Sequence, residues 1–87
     1  MWKIELSRES LKQLQKTPVQ RVRQIIKSLQ DSSASDNPYF HKQVKHLTGD
    51  LAGLSRLRVG SYRVILRFVK DRQTINVISI LPRGNAY

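Results

Sequence analysis

Cysteine is absent from this 87-residue chain. That single absence removes a disulfide framework, a thiolate nucleophile and every zinc site built on sulfur. Acidic residues are scarce, with six Asp+Glu set against sixteen Lys+Arg, and none lies between Asp50 and Asp71. Long apolar runs are missing too. The one apolar-rich run, near residues 75 to 81, has the length of a strand and cannot cross a bilayer. The opening "MWKIELSRES" turns polar after six residues and resembles no signal peptide. The hydrophobic share of 39% is below the usual average of about 45–50%. A chain this short buries only about 60–65% of its unfolded surface, so its core must be compact. These limits predict one domain over residues 1–87, without membrane association and suited to a reducing cytoplasm.

What remains in abundance is positive charge. The formal net charge is +10 and the pI is near 10.8. Such a field draws polyanions: nucleic acid first, acidic lipid second, an acidic protein third. The plainer alternative is a solvated domain that happens to be basic.

Residues 2–6, "WKIEL", alternate apolar and polar and predict a short strand with one buried face. Ser7 follows as a helix N-cap, with Leu6 and Leu11 at the spacing of a hydrophobic staple. Leu11 and Leu14 mark the apolar side of a short helix ending at Lys16. In "TPVQ", Thr17 reads as N-cap, Pro18 as N1 and Gln20 as N3 of a second helix. Its apolar face carries Val19, Val22, Ile25, Ile26 and Leu29. "DSSASDNPY" (31–39) predicts the stop, and residues 40–53 allow one helical turn near 40–45 before a loop. "TINVISIL" (74–81) predicts a central strand buried on both faces for much of its length, halted by Pro82. The expected fold is α+β. An N-terminal strand and an α-hairpin precede a three-stranded antiparallel meander, making a four-stranded sheet with the helices on one face.

The most informative stretch is "LSRLRVGSYRVILRF" (54–68). Gly60-Ser61 suits a two-residue type II′ turn, which sets Val59 against Tyr62, Arg58 against Arg63 and Leu57 against Val64. Alternation then puts Leu57, Val59, Tyr62, Val64, Leu66 and Phe68 on one face and Arg56, Arg58, Arg63 and Arg67 on the other. Like charges facing each other across a strand pair cost about 0.2–1 kcal/mol. A bound phosphate reverses that sign, because guanidinium groups grip it bidentately and stay charged. The structural alternative, a basic face that guards a sheet edge, normally uses lysines among acidic neighbours.

"SRLRV", then "GSYRVILRFVKDRQTINVISILPRGNAY", after a strand and an α-hairpin, resembles the RelE/ParE superfamily of type II toxin–antitoxin toxins, and most of all its RelE branch. The resemblance spans the whole chain. It implies a metal-independent, cofactor-free endoribonuclease (an mRNA interferase) that cuts mRNA in the ribosomal A site by 2′-hydroxyl attack and so inhibits translation. It implies Arg63 as the clamp on the scissile phosphate, Arg83 as the group serving the leaving oxygen, and Tyr87 as general base and stacking partner. Arg56 and Arg58 match two basic positions that are lysines in well-known members; arginine keeps the charge but does not deprotonate usefully. Arg67 and Lys45 are expected on the RNA backbone.

The implied partners are the ribosome with its mRNA and a RelB-like antitoxin whose acidic segment wraps the toxin. The toxin–antitoxin complex would bind operator DNA through the antitoxin. His41 and His46 lie five apart without a carboxylate partner and read as surface residues, so neither a His-pair nuclease nor a metal site is expected. Two alternatives stand beside the nuclease: a ParE-like toxin that poisons gyrase, and an inactive co-repressor that only binds the antitoxin.

Overall fold

The computed structural model describes residues 2–38 and 41–82. The elements are β1 (Lys3–Leu6), α1 (Arg8–Gln15), α2 (Val19–Ala34), β2 (Val44–His46), β3 (Ser55–Val59), β4 (Tyr62–Val69) and β5 (Thr74–Pro82). Short 3₁₀ turns cover Gly49–Leu51 and Lys70–Arg72. The sheet has five strands in the order β1-β5-β4-β3-β2, with β1 parallel to β5 and the other pairs antiparallel.

The fold is α+β as expected, but the fourfold sheet gains β2 at its edge. "VKH" (44–46) is too short to carry a period, and it forms a strand because β3 offers it an open edge, not the helical turn allowed for 40–45.

The helices cover one face. α1 lies against β5, and α2 lies against β1 and β3. Ile25 and Leu29 of α2 join Leu57, Val59, Val64, Leu66, Ile75, Val77 and Ile80 in one core, with Leu14, Tyr62 and Phe68 packed at its margin. The apolar stripe of α2 is narrower than its sequence pattern. Ile25 is fully buried, whereas Val19 is 66% and Ile26 41% exposed. On α1 the buried residue is Ser10, and Leu11 stands open to solvent beside the half-open Leu6, so the staple residues are not core.

Two helix boundaries differ from the sequence pattern. Thr17 does not cap α2. Its hydroxyl donates back to the Gln13 carbonyl of α1 at 2.7 Å, and Pro18 takes the cap position without a side-chain bond. At the other end α2 runs through the serines to Ala34. Ser32 and Ser33 are small enough to be buried, and the Ser33 carbonyl accepts the Trp2 N–H at 3.0 Å, tying the start of β1 to the end of α2. The Ser33 hydroxyl returns to the Gln30 carbonyl, so this polar residue costs the helix little.

β5 is interior to the sheet, but it is not simply buried on both faces. Its pairing with β4 steps from Leu66↔Val77 to Ile65↔Ser79, leaving Ile78 as an extra residue. That bulge resets the alternation, so Val77 and Ile80 both reach the core. The β1 ladder ends at Leu6↔Val77, and α1 supplies the missing partners beyond it. Ser7 Oγ donates to the Ile78 carbonyl at 2.7 Å while accepting the Ser10 N–H at 3.0 Å. Gln13 Oε1 accepts the Ile80 N–H. Ser7 is therefore both helix cap and clamp on the bulge. Ser7→Ala should cost about 1–3 kcal/mol, combining a lost cap with a lost hydrogen bond. Thermal unfolding should show a Tm lower by roughly 5–20 °C. A change indistinguishable from wild type would remove the clamp.

Candidate active site

The predicted hairpin register is the observed one: Leu57↔Val64, Arg58↔Arg63 and Val59↔Tyr62. Gly60 has φ +57 and Ser61 does not share a positive φ, the pattern of a II′ turn. An added Cβ at Gly60 would meet only Gln24 Oε1, at 4.0 Å, so the glycine is needed for its backbone angle and not for space. A tight turn of this kind fixes the register, and the register sets Arg58 directly opposite Arg63.

These residues open onto a cleft of about 120 Å³ lined by Arg56, Arg58, Gly60, Ser61, Tyr62 and Arg63. Arg58 is exposed, while Arg56 and Arg63 are half-buried. Ile65 shares the arginine face. It lies opposite Arg56 and between Arg63 and Arg67 along β4, yet is only 4% exposed on the face away from the helices. Among the described residues, no acidic side chain lines the cleft.

A second cavity of about 500 Å³ continues toward the sheet edge, sharing Arg56, Arg58 and Gly60 and adding residues 42–45. Lys45 pairs with Arg56 across β2 and β3, which places it on the arginine face as expected. Arg67 is on the same face but apart. It lies in the row with Asn76 and Glu5, four residues along the strand from Arg63, or about 13 Å. The fold thus gathers Arg56, Arg58, Arg63 and Lys45 and leaves Arg67 outside the cleft. Arg83 and Tyr87 lie outside the described residues.

Gln43 and Lys42 escaped the sequence reading. Gln43 brackets the Arg58 peptide: its carbonyl accepts the Arg58 N–H at 3.2 Å and its side-chain amide donates to the Arg58 carbonyl at 3.4 Å. Only β2's pairing reveals this, and a three-residue strand has no sequence signature. Both histidines are half-exposed and make local hydrogen bonds. His46 Nδ1 lies 2.7 Å from Ser55 Oγ, and His41 Nδ1 accepts the Gln43 N–H at 3.3 Å. Neither lines the arginine cleft, and among the described residues no cluster of His, Asp and Glu could hold a metal ion. Nor, among them, is any helix long and apolar enough to cross a membrane.

A basic cleft on the open face of a small helix-backed sheet fits the toxin class suggested by the sequence, and comparison agrees. The family model described as ParE toxin of the type II toxin–antitoxin system parDE matches residues 4–87, so the chain belongs to that family, within the RelE/ParE superfamily. Among solved structures, the archaeal RelE of the RelE–RelB complex from Pyrococcus horikoshii is 27% identical with a TM-score of 0.77, the alignment covering 98% of each chain. The isolated Escherichia coli RelE toxin is 16% identical with a TM-score of 0.79, over 99% of this chain and 88% of that one. The YoeB/ParE toxin from Agrobacterium tumefaciens is 21% identical with a TM-score of 0.77, over 93% and 98%. No curated protein matches the chain in sequence. The fold is that of the RelE toxins.

Proposed function

We propose that this toxin is a ribosome-dependent endoribonuclease of the RelE type, and that it cuts mRNA at the Arg56–Arg58–Arg63 cleft. The observation that carries the reading is that Arg58 and Arg63, directly opposite in register, line one cleft together with Arg56, and that no acidic side chain among the described residues lines it. Three guanidinium groups lining one cleft suit a phosphate, which arginine binds bidentately while staying charged.

In the reaction, the 2′-hydroxyl oxygen attacks the adjacent phosphorus while its proton passes to a base. The P–O5′ bond then breaks, and the leaving oxygen takes up a proton. The products are a 2′,3′-cyclic phosphate and a 5′-hydroxyl. Arg63 would clamp the scissile phosphate, and Arg56 and Arg58 would compensate the charge that builds on the equatorial oxygens. Family resemblance assigns the proton transfers to Tyr87 and Arg83. Groups with such high intrinsic pKa values are slow acid–base catalysts, so the ribosome would have to align the RNA. Purified protein should then cut naked RNA far more slowly than mRNA on translating ribosomes.

The test is inducible expression followed by mapping of mRNA 5′ ends. Cuts phased with the reading frame support the proposal. Unphased cutting, or growth arrest without cutting, overturns it. The second reading is a gyrase poison, favoured by the ParE family match over residues 4–87. Inhibition of gyrase supercoiling by the purified protein, with mRNA intact, would establish it. In either case the expected partner is an antitoxin with an acidic segment, as the antitoxin-bound RelE and YoeB relatives suggest.

Electrostatics supplies a second check. If Arg56, Arg58, Arg63, Arg67 and Lys45 all meet phosphates, the logarithm of single-stranded RNA affinity should fall against log salt with a slope of about −3.5. A slope shallower than about −1, measured by fluorescence anisotropy, would leave most of that face without phosphate contacts.

A further inference from the structure

Resting on the reading of the cleft as an RNA site, we propose that Lys42 and Lys45 form a second phosphate subsite. It would hold a neighbouring nucleotide of the same single RNA strand along the β2 edge.

The cleft at the turn is small. At about 120 Å³ it falls below the roughly 300–1,000 Å³ of ordinary ligand sites. The cavity beside it, about 500 Å³, is within that range. The two adjoin, with Arg56, Arg58 and Gly60 lining both. A strand gripped at Arg63 therefore meets Arg58 and Arg56 on β3 and then Lys45 and Lys42 at the edge. β4 to β2 is two strand spacings, about 10 Å across the sheet. Lys42 and Lys45 are both exposed, and no acidic side chain among the described residues lines this cavity. Gln43, between them, holds Arg58 by its peptide, so the edge segment carrying the lysines is coupled to the arginine cleft. Lysine suits this position, because a flexible point charge can follow a strand whose register there need not be fixed.

An edge strand also uses lysines to discourage pairing with other chains, and the experiment separates that role from RNA binding. The probe is a 2′-O-methyl hexauridylate, which the proposed reaction cannot cut, with a 2′-O-methyl dinucleotide as the short control. The Lys42→Ala/Lys45→Ala variant should bind the hexamer about tenfold more weakly, with its salt slope reduced by about 1.4. Dinucleotide binding should stay the same. Lys42→Arg/Lys45→Arg should restore hexamer binding, and thermal unfolding should show both variants folded. Unchanged hexamer affinity in the alanine variant overturns the subsite, whether or not the variant self-associates on a sizing column. Arg63→Ala distinguishes this failure from that of the underlying reading. If Arg63→Ala weakens hexamer binding and the lysine variant does not, the subsite alone is wrong. If neither does, the RNA reading fails and the subsite with it.

Discussion

Arg63→Ala should abolish the proposed reading-frame-phased mRNA cleavage, and with it the growth arrest expected when the toxin is expressed without an antitoxin. Removing one preorganised charge-stabilising group from a phosphoryl or acyl transfer site typically costs about 10²–10³ in rate, or roughly 2.7–4 kcal/mol. The expectation here is at the upper end, because Arg63 lines the proposed phosphate cleft together with Arg56 and Arg58, and residues acting as a unit lose more than their separate shares. Arg63→Lys keeps the charge but loses the planar fork, and should fall between wild type and alanine. The folded state should tolerate the change. Relief of the repulsion from Arg58 offsets part of the interactions lost with the half-buried Arg63 side chain, which lies outside the core cluster. A thermal unfolding curve near that of wild type, with cleavage gone, would locate the defect in chemistry. Phased cuts persisting in Arg63→Ala would sink the proposed role of this residue. Rescue of growth with cleavage intact would separate toxicity from the nuclease altogether.

The sequence was legible where local chemistry leaves one choice. Gly60-Ser61 admits a tight turn, the turn sets the register, and the register aligns Arg58 with Arg63. Ser7 as a cap was legible for the same reason, since its hydroxyl needs only the backbone three residues on. What depended on distant partners was not. β2 exists because β3 presents an open edge, so Gln43 and Lys42 could not be placed beside Arg58 from their own surroundings. Thr17 had a local option as a cap and used a bond to α1 in its place. The serines of α2 read as a stop signal, yet burial of Ser32 and Ser33 and the link to Trp2 carry the helix through to Ala34. Arg67 shares a face with the other arginines but not their cavity, a distinction of position along the strand that alternation cannot express.

The bulge in β5 is the sharpest case and gives the second large effect. By plain alternation from Ile75 and Val77, Ser79 would face the helices and Ile80 would fall on the arginine face with Ile78. The observed step at Ile78 reverses this, leaving Ile80 at 2% exposure within the core and Ile78 half-buried. Ile80→Ala should therefore cost about 2–5 kcal/mol, and Ile80→Val about 0.5–1.5 kcal/mol. Ile78→Ala should cost clearly less than Ile80→Ala, because a half-buried side chain leaves no closed cavity. A domain of this size has a total stability of roughly 4–13 kcal/mol, so Ile80→Ala can take a large part of it. The consequence reaches the cleft, because Ile80 opposes Val64, the next residue along β4 from Arg63. Denaturant unfolding of the three variants measures the order directly. Equal costs for Ile78→Ala and Ile80→Ala would mean that β5 alternates without the bulge. The Ser7 and Gln13 bonds to the strand would then also need another account.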